Sequence, residues 1–269
     1  MNCISYCFSD RIFNEDTFSF SDHHIMVLDG ATSLTKKNIM SEDDAAWFVQ
    51  QLKKEIDKHI LEEQSLSTIV YNACMKIKSQ YYYTQDIDYP NACISLFRFQ
   101  EDTLEYFGLG DSLGIVEMKD GSIECFEDKM INELDNNVIE HMITLSKEKQ
   151  IPFLETRQEQ EIKDHLLQNR KCHNQSYFIL DPTGKGIRHA CIKQWKLEEI
   201  SRICCMSDGF SQIMMYPGFA ELSYVLDEIE KDHEKIEKQL YFFQEQDPDC
   251  IYYPRLKKRD DTTYVYLKF

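Results

Sequence analysis

The chain has 269 residues, 42 % of them hydrophobic and 29 % charged, with 47 acidic against 30 basic side chains and a formal charge of −17. That surplus excludes general binding to nucleic acid, because a polyanion is repelled and Lys257-Lys258-Arg259 is too short a basic stretch to overcome the field. No apolar run of about 18 residues offers a membrane span, and ten scattered cysteines without a Cys-x-x-Cys pair give neither a disulfide framework nor a cysteine-based zinc site.

Taken in chain order, the first informative segment is Arg11, followed by Glu15-Asp16. Next, the apolar run His24-Ile25-Met26-Val27-Leu28 reads as a strand over Ile25–Leu28 that stops on Asp29-Gly30-Ala31-Thr32. The pair His23-His24 before it reads as a strand-edge pair rather than a catalytic acid. Ser41–Glu62 has a helical pattern, with Ser41 opening a Ser-Glu-Asp-Asp cap and Ala45, Phe48, Leu52 and Ile56 on one face, and Ser65–Tyr83 continues as a second helix.

Strand-like runs follow at Ala92–Phe99 and Thr103–Phe107, joined by the polar turn Gln100-Glu101-Asp102, and then at Gly114–Met118 and Ser122–Phe126. Between them lies Gly108-Leu109-Gly110-Asp111-Ser112. Short consecutive strands with tight turns imply antiparallel pairing. Glu133–Gln150 reads as a helix inside the least assignable stretch, 127–174. Tyr177–Leu180 and Ile203–Met206 read as strands, the latter ending at Ser207-Asp208-Gly209. Gly218–Gln246 is a long helix with Leu222, Val225, Leu226, Ile229, Ile236 and Leu240 at mostly helical intervals, and Arg259-Asp260-Asp261-Thr262-Thr263 leads into a last strand, Thr263–Phe269.

Each acidic segment alone has an ordinary reading. Asp-Gly is a common turn dipeptide because Gly accepts positive φ and Asp bonds its own backbone. Glu15-Asp16 reads equally as a solvated turn, and Asp260-Asp261 as surface charge beside a basic cluster. Their recurrence where apolar runs stop is what points to chemistry. Carboxylates on strand ends suit hard divalent cations, which take oxygen ligands. Two such ions sharing a water would drive an in-line displacement at phosphorus. Bound cations would also invert the local sign of an acidic protein toward a phosphate.

In order and spacing these segments resemble the metal-dependent protein phosphatases of the PPM (type 2C) family. The resemblance covers almost the whole chain: Arg11 with Glu15-Asp16, Val27-Leu28-Asp29-Gly30, Gly108-Leu109-Gly110-Asp111-Ser112, Cys205-Met206-Ser207-Asp208-Gly209-Phe210, and Arg259-Asp260-Asp261-Thr262-Thr263. It implies hydrolysis of phosphoserine and phosphothreonine in a phosphorylated protein by a water bridging two Mn²⁺ or Mg²⁺ ions. It further implies that Asp29 bridges the two ions, that Asp208 and Asp260 complete the shell of the first ion, and that Glu15 or Asp16 and the carbonyl of Gly30 serve the second ion. Asp111 matches the position that, with Asp208, holds a third ion in many members, and Arg11 matches the phosphate-binding arginine.

Two departures stand out: Ala31-Thr32-Ser33 replaces the family's His-Gly-Gly, and Leu113 replaces a basic residue. They keep two alternatives open, a catalytically weak or inactive binding module and a small-molecule phosphohydrolase. The implied fold is α/β in the layered α+β sense, two stacked antiparallel β-sheets flanked by antiparallel helix pairs, in a single domain of residues 1–269 with a variable flap at about 127–174. Composition adds the expectation of a cytoplasmic protein with free thiols and no leading signal peptide, monomeric, with neither nucleic acid nor membrane as partner.

Overall fold

The computed structural model describes residues 2–31, 38–80 and 89–269. These cluster into two compact units. The first comprises 1–128, 178–210 and 261–269, the second 129–177 and 211–260.

Among the described residues the ten strands all belong to the first unit and form two five-stranded antiparallel sheets. One sheet runs β1 (Asn2–Phe8), β10 (Thr262–Lys268), β9 (Ile200–Met206), β6 (Leu113–Met118) and β7 (Ile123–Phe126). The other runs β2 (Asp16–Ser21), β3 (His24–Ala31), β4 (Asn91–Gln100), β5 (Thr103–Leu109) and β8 (Cys191–Lys196). The two-residue side-chain period of a strand assigns each face. From β3 and β4, Ile25, Val27, Phe97 and Phe99 pack with Val116, Ile203, Cys205, Val265 and Leu267 of the other sheet, so the sheets are stacked face to face. The alternate residues Met26, Leu28, Ile94 and Leu96 meet Phe48, Leu52, Ile56, Ile69 and Val70 from α1 (Asp44–His59) and α2 (Leu66–Gln80). Sheets buried on both faces explain why β3 and β9 read as continuous apolar runs.

A tyrosine sits at the centre of the inter-sheet layer. Tyr106 is fully buried, and a Cβ at Gly108 or Gly114 would lie 2.2 Å or 2.4 Å from its side chain. Those two glycines are therefore the space the ring occupies, which is a packing demand rather than a conformational one.

The second unit is helical: α3 (Lys129–Lys149), α4 (Gln160–Lys171) and α6 (Leu222–Gln246). Val138, Met142 and Leu145 of α3 pack with Phe153, Ile162 and Cys250. α6 bends at Asp232, whose backbone leaves the helical region (φ −162°, ψ 79°). The Asp232 carboxylate accepts the Lys235 N–H at 3.1 Å, so it caps the helix that restarts after the bend.

Several boundaries differ from the sequence reading. The cap of α1 is Asp43, which accepts the Ala46 N–H at 2.9 Å. Ser41 instead accepts the Asp43 N–H, at 3.0 Å. The expected strand Tyr177–Leu180 is reduced to two isolated bridges, Leu180 with Ala92 and Tyr177 with His173, and after it Asp181 takes the Thr183 and Gly184 N–H groups at 2.7 and 3.1 Å and turns the chain away. The last part of the expected helix Ser65–Tyr83 lies outside the described residues. All ten cysteines are free, and no helix among the described residues is long and apolar enough to cross a membrane.

Candidate functional site

Two acidic segments of the first unit, Glu15-Asp16 and Asp29-Gly30, meet at the carboxyl end of β3. Asp29 stands directly opposite Asp16 on β2 and opposite Cys93 on β4. Asp16 and Glu15 are both buried, at 2 % exposure. The Glu15 carbonyl accepts the Gly30 N–H at 2.9 Å. A Cβ on Gly30 would come within 2.7 Å of that oxygen and 3.3 Å of the Ala45 carbonyl, so only glycine lets β3 approach the Glu15 backbone this closely.

Asp111 arrives from the end of β5 through Gly110, whose φ of +88° suits glycine and whose Cβ would strike Cys93 Sγ at 2.2 Å. Burial pushes the Cys93 thiol well above its ordinary pKa. The carboxylates of Asp111 and Asp29, and the bond the thiol donates to Asp111, push it the same way. Cys93 is thus a protonated thiol flanked by two of the predicted acids, not a nucleophile.

Arg11 and Glu15 form an ion pair, Nη1 to Oε2 at 3.1 Å. The rest of the Arg11 fork is engaged by Asp261, with Nε on Oδ1 at 3.1 Å and Nη2 on Oδ2. Asp261 also accepts the Glu15 N–H at 2.7 Å and the Ser9 hydroxyl. Sequence reasoning singled out Asp260 of this acidic pair and gave Asp261 no role. Asp260 belongs to the second unit, where Lys257 Nζ contacts both its oxygens at 2.7 and 2.6 Å.

Asp208 opens the short α5 (Asp208–Ser211) directly after β9. Its predecessor Ser207 fixes this end of β9 to the start of β10. Ser207 N–H donates to the Thr263 carbonyl at 2.9 Å, and its hydroxyl accepts the Thr263 N–H at 2.9 Å. Leu113 is buried opposite Met206 on β9, a core position, which accounts for an apolar residue there. Thr32 and Ser33 of the segment Ala31-Thr32-Ser33 lie outside the described residues. His24 is structural: Nδ1 meets Ser21 Oγ, Nε2 meets Ser19 Oγ and Asp57 Oδ1, each at 2.9 Å, which ties the β2–β3 hairpin to α1.

The donor chemistry suits Mn²⁺ or Mg²⁺, since the predicted set is all oxygen. The Gly30 cradle, which a Cβ would fill, brings a carbonyl and two neighbouring acids to the end of one strand. Among the described residues, no group of three or more His, Cys, Asp or Glu side chains is arranged to hold a metal ion. The fit therefore rests on strand placement and donor type. A cavity of about 320 Å³ opens beside Gly110, with Glu127 and Asp128 in its lining.

A family model described as protein phosphatase 2C matches residues 6–241. A search of the curated proteins by sequence finds no match. Among solved structures, the chain is similar to the serine/threonine phosphatase PstP/Ppp of Mycobacterium tuberculosis, with a TM-score of 0.57 at 16 % identity over 100 % of this chain and 98 % of that one. It is also similar to the catalytic domain of the phosphatase PstP in complex with two manganese ions, with a TM-score of 0.54 at 16 % identity over 98 % and 96 % of the two chains. A third similar structure is Stp1 from Staphylococcus aureus, with a TM-score of 0.52 at 13 % identity over 99 % and 94 %.

Proposed function

The chain belongs to the protein phosphatase 2C family, and from that membership we propose that it hydrolyses phosphoserine and phosphothreonine in a phosphorylated protein, using two Mn²⁺ or Mg²⁺ ions, or three with Asp111. The observation that carries this reading is the placement of Asp29 beside Asp16 at the end of β3, with Asp111 drawn to the same Cys93 thiol. The manganese complex of PstP, the enzyme this fold is similar to, lends it support.

In this reading Asp29 is the shared ligand, Asp208 serves the first ion, and Glu15 or Asp16 with the Gly30 carbonyl serves the second. Asp260 is assigned to the first ion by its place in the motif order alone. When bound, the ions supply an acidified water and neutralise charge on the phosphate. The remaining work falls to side chains of the chain itself. Arg11 would bring a cation to the phosphate through its remaining N–H groups, while Asp261 and Glu15, which engage Nε, Nη2 and Nη1, hold it in place.

We take residues 1–269 as one catalytic domain, cytoplasmic and monomeric, in which 127–174 occupies the family's variable flap position in the motif order and helps choose the substrate. Hydrolysis of a phosphothreonine peptide with Mn²⁺, abolished by EDTA and in Asp29→Asn and Asp208→Asn, is the expected result. Metal-independent turnover, or full activity in both variants, defeats the proposal. Mn²⁺ binding without turnover would favour a binding module, and turnover restricted to small phosphate esters a metabolite phosphohydrolase.

A further inference from the structure

Eight histidines are dispersed along the sequence, yet folding brings two of them face to face in the helical unit. His141 on α3 and His165 on α4 present Nδ1 to Nδ1 at 3.3 Å, with ring centroids 5.5 Å apart and planes inclined by 47°. Both are half-buried. As a hydrogen bond the contact is long, since N–H donors usually sit about 2.9–3.0 Å from their acceptors. The same separation matches a metal chelate. Two imidazole nitrogens bound at about 2.0–2.1 Å to one tetrahedral ion stand roughly 3.3–3.4 Å apart.

We propose that His141 and His165 form a two-imidazole site for a borderline transition-metal cation, of the Zn²⁺, Ni²⁺ or Cu²⁺ class, which staples α3 to α4 with water completing the coordination. Imidazole selects these ions over the hard Mg²⁺ and Mn²⁺ that suit carboxylates, so the site is chemically separate from the acidic one. Burial, and then the neighbouring His141, holds the His165 pKa below its ordinary value, which keeps a lone pair available for a metal. The nearest acids along α4 are already engaged, Glu161 with Lys149 at 3.0 Å and Asp164 with the Gln160 amide at 2.8 Å. Among the described residues no third His, Cys, Asp or Glu side chain joins the pair in a metal-holding group, so the ligand set is two nitrogens and water.

The staple would couple two helices separated in the chain by the turn of 3₁₀ helix Phe153–Gln158. Binding to the folded form alone raises thermal stability by mass action.

The test is titration of the 269-residue protein, held in excess Mg²⁺, with Cu²⁺ followed by electron paramagnetic resonance and with Ni²⁺ followed by thermal melting. The wild type should show hyperfine splitting from two nitrogens and a melting point that rises with Ni²⁺. His141→Ala and His165→Ala should each bind Cu²⁺ at least about tenfold more weakly, since loss even of an outer-shell partner costs that much, and lose the Ni²⁺ shift. Circular dichroism identifies any variant that fails to fold, and His165→Gln then takes its place. Equal affinity and equal splitting in wild type and folded variants overturn the proposal. None of these readouts depends on phosphatase activity.

Discussion

Arg11 and Asp261 stand 250 residues apart in the chain and meet as a fork and a carboxylate, with Nε on Oδ1 and Nη2 on Oδ2. The same carboxylate accepts the Glu15 N–H, so one buried side chain, 3 % exposed, fixes both the proposed phosphate-binding cation and the backbone of the proposed metal-binding acids. Asp261→Asn keeps the shape but removes the charge. A hydrogen bond to a charged group contributes about 1.5–3 kcal/mol, and roughly 1.4 kcal/mol is a factor of ten. KM for a phosphothreonine peptide should therefore rise by about an order of magnitude, with a smaller change in kcat. Steady-state kinetics decide it, and an unchanged KM means that Asp261 does not position Arg11.

Gly30→Ala tests the cradle. Its methyl group would sit 2.7 Å from one backbone oxygen and 3.3 Å from another, and backbone cannot rotate away as a side chain can. Overpacking of this kind costs about 1–3 kcal/mol. The variant should melt lower and lose Mn²⁺-dependent activity together, because the displaced strand end carries Asp29. A melting curve and activity equal to wild type would mean that β3 does not need this close approach.

The strands that carry the acids were legible because burial on both faces writes itself as an unbroken apolar run, as in Ile25–Leu28 and Ile203–Met206. Edge position hides a strand. β1 lies at the edge beside β10 and stays half-buried, and β8, at the rim of its sheet, is mostly exposed. β2 begins on the acids themselves, in Asp-Thr-Phe-Ser-Phe-Ser, and reads as a polar loop until β3 is placed beside it. Helix α4 carries a single fully buried residue, Ile162, and no side-chain cap, so its period is faint. The roles of Asp260 and Asp261 differ only by which partners the fold brings to each. Neighbours of one residue type carry no local signal of that, and the meeting of His141 with His165 is likewise a product of packing between helices.

Removing the divalent ions should cost stability as well as activity, because ligands that bind only the folded form stabilise it by about 2.7 kcal/mol at a hundred times Kd. Differential scanning calorimetry with Mn²⁺ against EDTA should show a higher melting point with metal, and Asp29→Asn should abolish the difference. An identical shift in that variant would place the ions elsewhere.

Acid stability should depend on a carboxylate that has no part in the proposed chemistry. Asp247, buried at the end of α6, accepts N–H bonds from Ile251, Tyr252 and Tyr253 at 2.8, 3.2 and 3.0 Å and pairs with Arg255 at 3.0 Å. Burial acts on it most strongly and raises its pKa, but the three backbone donors and the guanidinium together outweigh burial and leave it below the ordinary carboxylate value. A depressed folded pKa means that the unfolded chain binds the proton more readily, so the contribution is present above about pH 4 and is lost as pH falls through the folded value. Asp247→Asn leaves Arg255, 4 % exposed, without its anion, a change that costs about 3–5 kcal/mol for a buried pair. Denaturant melts from pH 7 down to pH 3 should show that gap shrinking only below about pH 4. A gap that stays constant across the range would show that folding does not lower the Asp247 pKa.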